Sequence, residues 1–94
     1  VCSSDLDDAC RKIITEYSYG PHFIHSTGHG IGLNVHENPN ISGKSKEKLK
    51  KDMAITVEPG IYIPKKFGVR IEDSLIVKDR AAVMHKFTKD LIVI

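Results

Sequence analysis

Three histidines, a glutamate and three glycines lie within thirteen residues, in the stretch HSTGHGIGLNVHE at positions 25–37. His25 and His29 are four residues apart, a spacing that places two metal ligands on one face of a helix. The serine, threonine and glycines around them disfavour a helix. On a strand, His25 and His29 would share a face, and His36 would point to the other face. His29 and His36 can therefore reach one site only if the chain bends, which the glycines between them permit.

Two further motifs supply carboxylates. Glu58 follows the alternating segment AITV, and the proline after it confines its backbone to extended angles. A carboxylate preset at the end of a strand suits a metal ion. Arg70 and Glu72 are two residues apart on a predicted strand, so their side chains share a face at about 6–7 Å. An arginine at that distance favours the ionised carboxylate. The alternatives are structural histidines and an exposed ion pair that contributes about 0–1 kcal/mol.

The elements that would position these residues follow from the hydrophobic pattern. Apolar residues at three- and four-residue steps predict an amphipathic helix from Leu6 to Tyr17, which Gly20 and Pro21 end. Its apolar stripe comprises Leu6, Cys10, Ile13, Ile14 and Tyr17. Ser4 and Asp7 have the spacing of a capping box. The pattern therefore predicts one helix before the histidine motif.

After residue 22 the apolar residues alternate, which indicates strands. The segment GIGLNV predicts a half-buried strand, with Ile31, Leu33 and Val35 on one side. AITVEPG predicts a second strand, and GVRIEDSLIV predicts a third with Val69, Ile71, Leu75 and Val77 on one side. KDRA is interpreted as a hairpin turn before a last strand near LIVI. One helix followed by a mostly antiparallel sheet is an α+β arrangement.

Composition limits the classes of protein. At 94 residues, 40% hydrophobic and 28% charged, the chain has the composition of one globular domain. It has no apolar run of roughly 18 residues and no signal-peptide pattern, so we expect no membrane association. Cys2 and Cys10 are too few for a disulfide framework, which favours the cytoplasm. The net charge of +2 does not indicate nucleic acid binding, and the lysine run at 44–51 is interpreted as a solvated segment.

The motifs HSTGHGIGLNVHENP, VEPGIYI and GVRIED, in this order, closely resemble the C-terminal part of the catalytic domain of the pita-bread metallopeptidases. This family includes aminopeptidase P, prolidase and methionine aminopeptidase. The resemblance implies one helix and a curved, mostly antiparallel sheet. The arginine two residues before the last glutamate resembles the aminopeptidase P and prolidase branch. That branch implies hydrolysis of the peptide bond before proline, with a substrate that has proline at its second position.

The resemblance also implies roles for individual residues. His29, Glu58 and Glu72 would be metal ligands, with Glu72 shared by two divalent ions. His25, His36 and Arg70 would bind substrate, and His36 would also stabilise the tetrahedral intermediate. Glu58 would accept the proton of the nucleophilic water. One imidazole with carboxylates suits manganese, our first choice, and also cobalt, zinc or iron.

Two aspartate ligands of the family lie upstream of the matched part, and Asp5, Asp7 and Asp8 have the wrong separation to replace them. Residues 1–94 are therefore interpreted as a partial catalytic domain. VCSSDL at 1–6 resembles a translated sequencing-library adapter and is interpreted as an artefact. We expect the 94-residue chain alone to be inactive or barely active, and expect the full-length protein to be the enzyme, with a homodimer as a possible assembly.

Two other functions are open at this point. Some pita-bread domains have lost their ligands and serve as peptide-binding modules. Others, such as creatinase, hydrolyse a small substrate without a metal ion. The matched residues His29, Glu58 and Glu72 argue against lost ligands, and sensitivity to a chelator would exclude the metal-independent hydrolase.

Overall fold

The computed structural model describes all 94 residues. It contains one helix, a short 3₁₀ turn and seven strands. In chain order these are α1 (Ser3–Glu16), the 3₁₀ turn (Gly20–His22), β1 (Gly28–Gly30), β2 (Glu37–Ile41), β3 (Ala54–Val57), β4 (Gly60–Ile63), β5 (Phe67–Arg70), β6 (Asp73–Ile76) and β7 (Ala82–Val83). The α+β class predicted from the sequence is confirmed. The single helix is too short and too polar to cross a membrane.

All strand pairs are antiparallel. Five strands form one sheet in the order β2-β1-β3-β6-β7, and β4 and β5 form a separate hairpin. The register aligns Ile55 of β3 with Gly30 on one side and with Leu75 on the other. The register of β1 with β2 shifts between His29 and Gly30, a bulge-like irregularity. Such a shift bends the strand that carries His29.

The apolar core is small and lies on one face of the five-stranded sheet. Ile41, Ile55 and Leu75 come from three different strands and are buried together. Partly buried side chains surround them, namely Leu6, Leu49, Met53, Val57 and Val77. Leu6 belongs to α1, so the helix packs against this cluster. Ile55 and Leu75 face this core as predicted, but burial along β3 does not alternate, because the adjacent Thr56 is buried as well.

Helix α1 differs from the predicted amphipathic helix in which residues it buries. Ile13 is 58% exposed and Tyr17 is 73% exposed, whereas the Asp7 residue is 0% exposed. The predicted Ser4–Asp7 capping box is wrong, because the Asp5 carboxylate accepts a hydrogen bond from the Cys2 N–H at 2.9 Å. Asp7 instead accepts hydrogen bonds from Thr27 and Arg11. Besides the packing of Leu6, polar contacts of Asp7 and Arg11 therefore attach this helix to the chain before β1.

The strand predicted at GIGLNV is wrong. Gly30 pairs with Glu37, so the residues between them form a loop of bends. Leu33 and Val35 alternate as they would in a strand, but both side chains are exposed. Alternation alone does not make a strand when no partner backbone is available on that segment.

The strand predicted at GVRIEDSLIV is divided in two. β5 ends at Arg70 and β6 begins at Asp73, and the two strands belong to different sheets. KDRA does lie in the connection between β6 and β7, as predicted, but β7 is Ala82–Val83. The predicted last strand near LIVI is wrong, because residues 91–94 form no strand and are exposed.

Two positions of β1 require glycine because backbone atoms of the neighbouring strands lie very close to them. A Cβ atom on Gly28 would lie 1.9 Å from the Thr56 carbonyl oxygen, and one on Gly30 would lie 2.1 Å from the Asn38 carbonyl oxygen. Neither glycine has a positive φ. Glycine is therefore needed here for space and not for an unusual backbone conformation.

We predict that Gly28→Ala reduces the free energy of unfolding by about 3 kcal/mol, because the new methyl group collides with backbone that cannot rotate away. Gly43→Ala is the matched control, since its Cβ would lie 3.4 Å from the nearest atom, an Asp7 carboxylate oxygen. Urea unfolding of both variants measures the difference. Equal stability of the two variants would contradict the close approach at β1.

Candidate functional site

His29 and Glu58 form the centre of the candidate site. His29 lies in β1, and Glu58 directly follows β3, the neighbouring strand. The His29 Nε2 atom lies 3.1 Å from Glu58 Oε1, and both side chains are less than a fifth exposed. The Glu58 N–H donates to the Thr27 carbonyl oxygen at 2.6 Å, which fixes the backbone at this carboxylate. Two of the three predicted metal ligands are therefore in contact.

Thr56 connects these two residues. Its hydroxyl accepts a hydrogen bond from the His29 N–H at 3.1 Å and donates one to Glu58 Oε1 at 3.2 Å. Thr56 is 3% exposed. Thr56 and Glu58 are two residues apart in extended chain, which directs both side chains to the same face. Thr56 was not predicted to belong to the site, although its i, i+2 spacing from Glu58 indicates that the two side chains share a face.

The hydrogen bonds of His29 test whether the pair fits a cation. His29 Nδ1 lies 2.8 Å from the Gly30 carbonyl oxygen, which can only accept, so Nδ1 carries a hydrogen. In the neutral imidazole Nε2 then carries a lone pair, and this lone pair faces a carboxylate oxygen. Two such atoms at 3.1 Å repel unless a proton or a metal ion lies between them. Ligating histidines commonly have this backbone contact at the second nitrogen, and the pair fits a metal ion.

His36 reaches the same place by a bend of the chain. Its ring centroid lies 4.7 Å from that of His29, in an edge-to-face arrangement. The loop between Gly30 and Glu37 brings the chain back beside β1. This is the bend predicted for His29 and His36 to reach one site. His36 is exposed. It therefore borders the His29–Glu58 pair on the solvent side.

Glu72 does not join the pair in this structure. It is exposed and forms no hydrogen bond or ion pair, and no three His, Cys, Asp or Glu side chains form a group that could hold a metal ion. Its position in the sheet is nevertheless close to Glu58. Val57 pairs with Asp73, so the next position of each strand holds Glu58 and Glu72. The ligand role of Glu72 stays a prediction.

Arg70 contacts Glu58. Its Nε atom lies 3.7 Å from Glu58 Oε2, and its side chain is 53% exposed. The prediction that Arg70 and Glu72 share a face of one strand is wrong, because β5 ends at Arg70. The arginine lies near Oε2 of Glu58, whereas His29 contacts Oε1. An exposed pair at this distance contributes little to stability.

His25 lies apart from His29, in an aromatic environment. Its ring makes edge contacts with Phe23 and Tyr62, at centroid distances of 5.1 and 5.4 Å. His25 Nδ1 lies 2.7 Å from the Ser26 carbonyl oxygen, and Nε2 is buried without a hydrogen-bond partner. A Cβ atom on Gly60 would lie within 3 Å of both His25 Nε2 and the Tyr62 hydroxyl. Tyr62 was not predicted from the sequence to lie near His25.

Comparison with known proteins identifies the family. The model of metallopeptidase family M24 matches residues 1–79. The chain belongs to this family. It is 54% identical over 80 residues to the Xaa-Pro dipeptidase of Pyrococcus furiosus, an alignment that covers 85% of this chain and 23% of that protein. The M24 resemblance inferred from the motifs is thereby confirmed.

Solved structures of Xaa-Pro peptidases contain the same fold. The Xaa-Pro dipeptidase of Bacillus anthracis is 48% identical with a TM-score of 0.97, over 100% of this chain and 27% of that one. The X-prolyl aminopeptidase of Caenorhabditis elegans, a cytosolic enzyme with a di-nuclear active site, is 38% identical with a TM-score of 0.69, over 81% and 12%. The predicted portion of a pita-bread domain is confirmed. The chain spans about a quarter of the length of the curated relatives it matches.

Thr56→Val is predicted to reduce the free energy of unfolding by about 1–2 kcal/mol, because the His29 N–H and a Glu58 oxygen lose their partner in a buried place. Thr56→Ser retains the hydroxyl and is the control, with a smaller loss from the missing methyl group. Urea unfolding measures both variants. A valine variant as stable as the serine variant would contradict the bridging role of the hydroxyl.

Proposed function

We propose that the full-length protein containing this chain is a metal-dependent Xaa-Pro peptidase that hydrolyses the peptide bond before proline. The observation that carries the proposal is the His29–Glu58 contact, in which Nε2 and Oε1 lie 3.1 Å apart, an arrangement that needs a proton or a cation between the two atoms. The relatives named as Xaa-Pro dipeptidases support the specificity for proline. Its substrate would be a peptide with proline at the second position.

His29, Glu58 and Glu72 would hold the metal ions, together with ligands outside this chain. Two divalent ions are proposed, with manganese first and cobalt, zinc or iron as alternatives, because one imidazole with carboxylates suits all four. Bound ions would polarise the scissile carbonyl and lower the pKa of water. Glu72 would be the ligand that both ions share.

Four residues of this chain would have separate roles in proton transfer, substrate binding and stabilisation of the intermediate. Glu58 would take the proton from the attacking water, since its Oε2 atom is free of the Thr56 hydrogen bond. Arg70, 3.7 Å from that oxygen, would contact substrate. His36 would stabilise the tetrahedral intermediate from the solvent side. His25 would bind substrate through Nε2, which has no partner within the chain.

The proposal includes both aminopeptidase and dipeptidase specificity as alternatives, because relatives with either name match this chain. The partial-domain interpretation of residues 1–94, the artefact interpretation of residues 1–6, the cytoplasmic location and the homodimer stay predictions. So does the expectation that the 94-residue chain alone is inactive or barely active.

The proposal is tested on the full-length protein with two substrates, an Ala-Pro dipeptide and an Ala-Pro-Ala tripeptide. We expect hydrolysis of at least one, loss of activity with a chelator, and recovery when Mn²⁺ is added. Cleavage of the dipeptide alone would assign a dipeptidase. Activity that survives chelation would favour the metal-independent hydrolase, and peptide binding without turnover would favour the binding module.

A second prediction concerns the metal itself. Glu58→Gln replaces a ligating carboxylate by an amide, so we expect Mn²⁺ affinity to fall by more than the roughly 10–100-fold that loss of a ligand's hydrogen-bond partner costs, and turnover to fall further. Glu16→Gln is the control, because Glu16 is exposed at the end of α1 and forms no ion pair. Isothermal titration with Mn²⁺ measures the affinity of both variants. Unchanged affinity in Glu58→Gln would remove Glu58 from the ligand set.

A further inference from the structure

All three nitrogens of the Arg11 guanidinium have partners, one within α1 and two in the chain before β1. Its Nε lies 2.7 Å from an oxygen of Asp7, one turn earlier in the helix. Nη1 donates to the Phe23 carbonyl oxygen at 2.9 Å, and Nη2 donates to the His25 carbonyl oxygen at 2.6 Å. The guanidinium also lies over the Phe23 ring, 4.1 Å from its centroid. A planar fork with fixed donors suits this arrangement.

Asp7 anchors this arginine. Its side chain is 0% exposed, and its second oxygen accepts a hydrogen bond from the Thr27 hydroxyl at 2.7 Å. Cys10 lies beside it, and burial, followed by the nearby Asp7 carboxylate, raises the pKa of the Cys10 thiol. A buried carboxylate needs such partners. Arg11 and Asp7 together therefore hold both ends of the segment from Phe23 to Thr27.

The held segment leads directly to the candidate site. The Thr27 N–H donates to the Ile41 carbonyl oxygen at 2.8 Å, and the Thr27 carbonyl oxygen accepts from the Glu58 N–H at 2.6 Å. The His25 side chain projects from the middle of the segment, and its Nε2 is buried and unpartnered. The His25 ring is oriented by the contact of Nδ1 with the Ser26 carbonyl oxygen and by the Phe23 and Tyr62 rings, and the whole ring moves with the backbone that Arg11 contacts.

We propose that Arg11 is a positioning residue, which through the Phe23 and His25 carbonyl groups sets the orientation in which His25 meets the substrate. The substrate role of His25 rests on the function proposed above. The hold on the segment itself rests on the contacts of Arg11 and Asp7 and not on that function. The hold of Arg11 on the segment and the effect of that hold on His25 can therefore be tested separately.

Arg11→Lys is the decisive variant. Removing the charge altogether would leave Asp7 buried and uncompensated, and such a protein can fail to fold. Lysine retains the charge next to Asp7, but a single ammonium group cannot reproduce the fork that reaches two carbonyl groups. Arg80→Lys is the matched control, because Arg80 is exposed and forms no hydrogen bond or ion pair. Both variants are made in the full-length protein.

The first measurement is amide hydrogen exchange. We expect Arg11→Lys to accelerate exchange at the Thr27 and Glu58 amides about tenfold, the effect of losing hydrogen bonds to a charged donor. Amides of the β4–β5 hairpin should exchange as in the unmodified protein. Unchanged exchange at Thr27 and Glu58 would overturn the hold on the segment, whether or not the protein is a peptidase.

The second measurement is steady-state kinetics with the better proline substrate. We expect KM to rise about tenfold in Arg11→Lys, because the orientation of His25 changes. We expect kcat and Mn²⁺ affinity to stay within threefold, because faster amide exchange at Glu58 reports rare openings that leave the His29–Glu58 contact formed in nearly all molecules. Faster exchange with unchanged KM would overturn the link to His25. If the unmodified protein has no turnover, the proposed function fails, and the exchange result alone decides the role of Arg11.

Discussion

Three backbones meet at β1, where Gly28 and Gly30 lack the Cβ atoms that would collide with Thr56 and Asn38. This close approach lets a strand of only three residues pair with β2 on one side and β3 on the other. It also sets the distance between His29, on β1, and Glu58, at the end of β3. The geometry of the candidate site is therefore a consequence of how closely these strands can pack.

The apolar core is small, and contacts between buried polar groups also stabilise the fold. Four hydrophobic residues are buried, Phe23, Ile41, Ile55 and Leu75, and four polar or charged residues are buried as well, Ser3, Asp7, Thr27 and Thr56. Buried polar groups require geometrically satisfied partners, which makes such a network specific as well as stabilising. The two threonines illustrate this, because Thr27 connects α1 to Glu58 and Thr56 connects His29 to Glu58. The residues that stabilise the fold are thus the residues that place the site.

Predictions of the fold succeeded where local pattern and available partners agreed. The helix and β3 lie close to where periodicity placed them, and antiparallel pairing holds throughout. The pattern failed at Leu33 and Val35, which alternate but have no neighbouring strand. It failed again at Ile71, whose N–H bonds to the Pro59 carbonyl oxygen at 3.3 Å and so remains with the β4–β5 hairpin while Asp73 begins β6. Periodicity contains no information about such partners.

The sequence by itself determined the family, the order of the motifs and the identities of the residues able to ligate a metal ion. It also determined that the chain must bend between His29 and His36, since an odd spacing on a straight strand would separate them. Only the tertiary structure decided which of these residues meet. Arg70 contacts Glu58 and not Glu72, and Asp7 is buried under Thr27 and Arg11. These contacts join residues distant in sequence, so they depend on register and on where a strand breaks.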